Sequence, residues 1–166
     1  MKTYGVALLA LLLIPALSVT GAQGQNLLDD PGFENVNATV DGWNSPWIVQ
    51  DVFPESALAV TDNFSARIEL KGYVKQTVTL QTIPGNAEVE FTAKNPDLAD
   101  ITLEVLVRDS ANTILDPISG TRQVTIPAVA TDEISLFYNL PPGDYTIEFK
   151  NSIGPGPVII DDTYFG

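Results

Sequence analysis

The tightest constraint on this chain is a series of short segments in which apolar and polar residues alternate, each closed by turn residues. Tyr73-Val74-Lys75-Gln76-Thr77-Val78-Thr79-Leu80 alternates with period two and ends at a Pro84-Gly85 turn. Ala87 to Ala93 follows, with Val89, Phe91 and Ala93 on one side and Glu88 and Glu90 on the other. Ile101 to Arg108 repeats the pattern, and so does Tyr145 to Lys150 after Pro141-Pro142-Gly143-Asp144. Successive side chains of a strand point to opposite faces, so each segment has one core face and one wet face. Val, Ile, Thr, Tyr and Phe fill the segments, as a pleated, half-buried surface favours. About nine or ten strands of ordinary length fit the chain. The expected fold is all-β: a two-sheet antiparallel β-sandwich, with a jelly roll as the leading topology. The phase of alternation predicts Val78, Val89, Phe91, Leu103, Val105, Ile147 and Phe149 in the core, together with Leu27, Phe33, Trp43 and Ile160.

Residues 1–22 read differently. Lys2 precedes an almost continuous apolar run from Gly5 to Val19, and Thr20-Gly21-Ala22 supplies small residues for cleavage. The run is about 15 residues long, short of the ~20 that cross a bilayer as a helix. A secretory signal helix is the first reading and a retained anchor the second. Residues 23–166 then form one β-sandwich domain, with no further segment apolar enough for stable membrane insertion. A secreted or cell-surface location follows. Two sequons, at Asn37 and Asn63, are candidate glycosylation sites.

Composition closes several routes to function. The net charge is −13, and loss of Lys2 with the leader makes it more negative still. Such a surface repels nucleic acid, because phosphate binding needs Lys and Arg clusters. The chain has no histidine and no cysteine. It therefore cannot build a Ser-His-Asp triad, a Cys-His pair, a histidine-ligated zinc or a disulfide. A carboxylate pair of the glycosidase type stays open. With 21 Asp and Glu, however, some pair at a suitable separation is guaranteed and has no diagnostic value.

The two ends of the domain match each other. Asn26-Leu27-Leu28-Asp29-Asp30-Pro31-Gly32-Phe33-Glu34 is followed by Gly42-Trp43, and the chain finishes Val158-Ile159-Ile160-Asp161-Asp162-Thr163-Tyr164-Phe165. This pattern resembles the jelly-roll carbohydrate-binding modules of the family 4/9 type, which are galactose-binding-like domains. There an N-L-L-x-N-x-x-F-E start, a G-W and an I-D-D finish bracket one β-sandwich. The resemblance covers residues 26–165. It implies carbohydrate binding, and a structural Ca²⁺ where the first and last strands meet. Carried over residue by residue, the cation ligands are Glu34 and Asp161, with Asp162 as the next candidate.

Sugar-binding modules stack exposed aromatics on the apolar faces of pyranose rings. Trp43 matches the G-W position, which is usually a packing residue. Trp47 is expected as a stacking platform, with packing at the sandwich edge as the competing reading. Tyr73 is the second platform candidate, because it falls on the wet phase of its segment, as Phe137 does. Both are expected on one sheet face with Glu90, Glu104 and Arg108, the alternative being a solvated face of cross-strand charge pairs. The leading functional expectation is thus a secreted, non-catalytic module for a polysaccharide or glycan. The alternatives are an extracellular structural subunit that self-assembles by donating the stretch Gln23 to Leu28 to a neighbour, and a small glycoside-acting enzyme.

Overall fold

The computed structural model describes residues 25–35, 46–81 and 86–166. The expected signal helix, Asn37, Gly42-Trp43 and the Pro84-Gly85 turn lie outside these residues. Among the described residues the strands are β1 (Ile48–Glu55), β2 (Ser65–Leu80), β3 (Ala87–Lys94), β4 (Ile101–Asp109), β5 (Ile114–Leu115), β6 (Gln123–Ile126), β7 (Thr131–Tyr138), β8 (Gly143–Ile153) and β9 (Val158–Phe165). They hydrogen-bond in the order β5-β4-β8-β2-β9-β3-β7, with β1 also on β2 and β6 also on β4. Every pairing is antiparallel.

This continuous sheet curls into two leaves because β2 belongs to both. Its C-terminal half, Tyr73 to Leu80, pairs with β8, while Ala66 to Ile68 pairs with β9. β1 makes the same crossing beside it, with a register break between Gln50 and Val52. Asp51 and Lys71 take positive φ at the break, 52° and 71°. A Cβ on Gly72 would lie 2.6 Å from the Asp51 carbonyl oxygen and 2.8 Å from that of Gln50. Only glycine lets the two backbones approach this closely. The alternation alone predicted a strand starting at Tyr73; the structure begins it at Ser65 and bends it across the molecule.

The leaves enclose one apolar core. Phe33, Val89, Leu103, Val105, Ile147, Phe149 and Ile160 are fully buried, with Phe91 and Val78 nearly so. Leu27 is only partly buried. Phe91 of one leaf meets Phe149 of the other edge-on, with ring centroids 5.0 Å apart. Burying a side chain of this size is worth about 1.5–3 kcal/mol.

The N-terminal segment closes the sandwich against the C-terminal strand. Leu27 N–H donates to the Phe165 carbonyl at 2.8 Å, and Thr163 N–H to the Pro31 carbonyl at 3.0 Å. The Asn26 amide donates to the Thr163 carbonyl, and its oxygen accepts from Leu28 N–H and Phe165 N–H. Residues 25–28 thus lie on their own domain.

Candidate functional site

The expectation that Trp47 is an exposed stacking platform does not hold. The residue is buried, with its ring 5.1 Å from Phe33 and 6.4 Å from Phe149. Its indole N–H donates to the Asp30 carbonyl at 3.0 Å. A ring buried among other aromatics with its one donor engaged inside the domain has nothing left for a sugar. The reason is local: Trp47 stands just before β1, at the point where the chain enters the core.

Glu34 and Asp161 are drawn towards one place by the meeting of the chain ends. A Cβ built on Gly32 would lie 3.8 Å from Glu34 Cγ, 3.9 Å from Asp161 Oδ1 and 3.9 Å from Asp62 Oδ2. Asp161 is completely buried. Its Oδ2 accepts from Thr61 N–H, Thr61 Oγ1 and Ser65 Oγ at 3.0, 3.1 and 2.8 Å, and its Oδ1 from Asp162 N–H at 2.9 Å. Burial raises its pKa, and these hydrogen bonds pull it only part of the way back. Glu34 Oε1 accepts from the N–H groups of Asn63 and Phe64, and Oε2 from the Asn63 amide at 3.3 Å. Asn63 itself is exposed. Among the described residues, no group of three or more His, Cys, Asp or Glu side chains is gathered closely enough to hold a metal ion by itself.

Asp162 departs from the expected cation pair. Its φ of 49° turns the exposed side chain outward, and only its N–H reaches Asp161. It lines an open depression of about 290 Å³ with Asn26, Pro31, Glu90, Thr163 and Tyr164. Burial, followed by the charges of Glu88 and Glu90, raises the pKa of Tyr164 there. Thr61 and Ser65, which hydrogen-bond Asp161, carried no signal of this in the sequence, because their contact with it spans about 100 residues and arises only from folding.

Tyr73 is half-buried on the outer face of the β1-β2-β8-β4 leaf. Register places Gln50, Tyr73, Lys150, Glu104 and Gln123 in one row across five strands. At the usual strand spacing such a row extends about 19 Å. Beside it runs Ile48, Lys75, Glu148 and Leu106, and next Thr77, Thr146 and Arg108. Leu106 and Glu148 face outward by register yet are buried. Arg108 Nε stands 3.8 Å from Glu148 Oε2. Ser152 Oγ donates to Glu104 Oε2, and Lys75 Nζ lies 5.0 Å from the centre of the Tyr73 ring. This geometry corrects one expectation: Tyr73, Glu104 and Arg108 share this face, whereas Glu90 on β3 and Phe137 on β7 lie on the other leaf, paired with Ser135 and Glu88. Alternation placed Lys75 and Lys150 in the wet phase of their strands; their alignment with Tyr73 required the register.

No protein-family model matches the chain, and no curated protein matches it in sequence. Solved structures do. TmCBM61 in complex with β-1,4-galactotriose superposes with a TM-score of 0.55 at 20% identity, over 86% of this chain and 99% of that one. The CBM22-1 xylan-binding domain from Paenibacillus barcinonensis Xyn10C gives 0.57 at 14% identity, over 81% and 89%. The carbohydrate-binding module CBM36, in complex with calcium and xylotriose, gives 0.50 at 7% identity, over 72% and 92%. These neighbours are carbohydrate-binding modules, and the fold of this chain is the jelly roll they share.

Proposed function

We propose that the protein binds carbohydrate without turnover, outside the cell, on the outer face of the β1-β2-β8-β4 leaf. The observation that carries this reading is the row of Gln50, Tyr73, Lys150, Glu104 and Gln123 on that face. It sets one half-exposed aromatic among amides, a lysine and a carboxylate. The ring offers an apolar surface to a pyranose, and the polar groups offer donors and acceptors to its hydroxyls. The fold adds support, since its neighbours include a module solved with a galactotriose. The two acids of these rows are already engaged, Glu148 by Arg108 and Glu104 by Ser152, which suits a binding surface better than a proton-transfer pair.

Affinity electrophoresis of the mature domain through gels containing soluble polysaccharides tests the reading. At least one polysaccharide should retard the protein. Ring stacking is worth ~1–3 kcal/mol per contact, a figure taken from nucleic-acid binders, so Tyr73→Ala should weaken retardation about tenfold. The melting temperature should hardly move. Undiminished binding by that variant, or release of reducing sugar from the polysaccharide, would overturn the reading.

The same reading includes one structural Ca²⁺ between the chain ends, with Glu34 and Asp161 as carboxylate ligands. Asp161 Oδ1 accepts one hydrogen bond and Glu34 Oε2 one, which leaves lone pairs on both. Neither residue is in an ion pair among the described residues. Hard oxygen donors of this kind suit Ca²⁺, with carbonyls and water completing a shell of roughly six to eight. Bound there, the cation would neutralise a buried carboxylate and tie the ends together.

A further inference from the structure

The charge on the Tyr73 face is at odds with the rest of the molecule. The chain carries eight Lys and Arg against 21 Asp and Glu. Yet Lys75, Arg108 and Lys150 all sit on this one surface, on β2, β4 and β8. The opposite leaf aligns Glu88, Glu90 and Glu133 along β3 and β7, and its two cations among the described residues are engaged, Lys94 with the Leu58 carbonyl and Arg67 with Glu55 and Glu69. On the Tyr73 face Arg108 is committed to Glu148 at 3.8 Å. Lys75 and Lys150 are in no ion pair among the described residues, although register sets each opposite a glutamate. Both are half-buried. Lys75 leans over the Tyr73 ring at 5.0 Å, and Lys150 is the cross-strand neighbour of Tyr73.

The Lys75 ammonium therefore stands beside the aromatic, and Lys150 is set opposite it on β8. We infer that this face selects an anionic glycan: a pyranose ring rests on Tyr73 while its carboxylate or sulfate is held between Lys75 and Lys150. The inference rests on the carbohydrate-binding reading above and narrows it. The overall negative charge does not defeat it. Screening at physiological ionic strength extends over about 8 Å, so acids on the far leaf act weakly on this face. A lysine touching an anion in a half-buried setting is felt much more strongly.

The test runs the wild-type domain, Lys75→Gln, Lys150→Gln and the charge-keeping Lys150→Arg through gels containing polygalacturonate, dextran sulfate, neutral galactan or neutral xylan. The expected result is stronger retardation by polygalacturonate or dextran sulfate than by either neutral polymer, and the two arms separate carboxylate from sulfate recognition. Each Lys→Gln change should weaken the anionic interaction about tenfold, in line with one charge-assisted hydrogen bond. Lys150→Arg should restore most of it, neutral polymers should lose less than the anionic ones in each Lys→Gln variant, and added salt should weaken chiefly the anionic interaction. Preference for a neutral polymer, or indifference of polygalacturonate and dextran sulfate binding to both Lys→Gln changes, overturns this inference and leaves the carbohydrate-binding reading standing. Failure to bind any of the four overturns this inference too, and a broader polysaccharide panel then decides the reading beneath it.

Discussion

The indole N–H of Trp47 donates to the carbonyl of Asp30 at 3.0 Å, tying the residue before β1 to the turn that opens the domain. The same ring packs on Phe33, three residues beyond Asp30, so one side chain both satisfies a turn carbonyl and fills the core beneath it. The turn in turn places Glu34, because Asp30 Oδ1 accepts from Glu34 N–H at 2.9 Å. Packing of Trp47 and the approach of Glu34 to Asp161 are thus parts of one local arrangement.

Trp47→Ala is therefore expected to act on stability. Truncating a large buried aromatic costs about 3–5 kcal/mol, and the Asp30 carbonyl loses its donor as well. Urea denaturation should show a lower midpoint with an unchanged slope. A midpoint like that of the wild type would mean the ring is not packed as described.

Asp161 gives a prediction with a sign. Burial raises its folded pKa above 3.8, while the unfolded carboxyl titrates at its usual value. Between the two, the native state keeps a proton that the unfolded chain has lost. The contribution of this group to stability is thus fully present below 3.8 and is lost as pH rises through the raised value. In EDTA, the stability of the wild type relative to Asp161→Asn should fall as pH rises through that window and then level off. At neutral pH, adding Ca²⁺ should raise the melting temperature of the wild type, in proportion to the logarithm of its excess over the dissociation constant, and leave Asp161→Asn unmoved. A melting temperature indifferent to both Ca²⁺ and EDTA would remove the cation from the proposal.

Tyr138 titrates at the other end of the scale. Its hydroxyl is buried with no hydrogen-bond partner among the described residues. Burial pushes its pKa up to about 12, with Arg122 lowering it and Asp116 raising it by smaller amounts. The unfolded tyrosine loses its proton first, near 10.0, so stability is intact below that value and is lost as pH rises through about 12. Tyr138→Phe removes an unsatisfied polar atom without changing shape. Neutral-pH stability should stay level or rise by up to about 1 kcal/mol, and the alkaline loss measured by denaturation should shrink. Marked destabilisation of Tyr138→Phe would mean that the hydroxyl has a partner after all.

What the sequence determined by itself is the fold class and most of the core. Alternation is a local property, and it assigned Val89, Phe91, Leu103, Val105, Ile147 and Phe149 to the interior because each strand buries one face whatever its neighbours are. The matched ends, Asn26 to Glu34 and Val158 to Phe165, were likewise legible, as their residues are contiguous. The tertiary structure decided everything that depends on which strands lie side by side. It folded Trp47 onto Phe33, turned Asp162 outward through a positive φ, and brought Thr61 and Ser65 to Asp161 across about 100 residues. It bent β2 at Gly72 into both leaves and so separated Tyr73 from Phe137. Lys75 and Lys150 met Tyr73 only through the register of β2 against β8. Period-two alternation fixes which way a side chain points but says nothing of lateral neighbours, and a binding face is made of lateral neighbours.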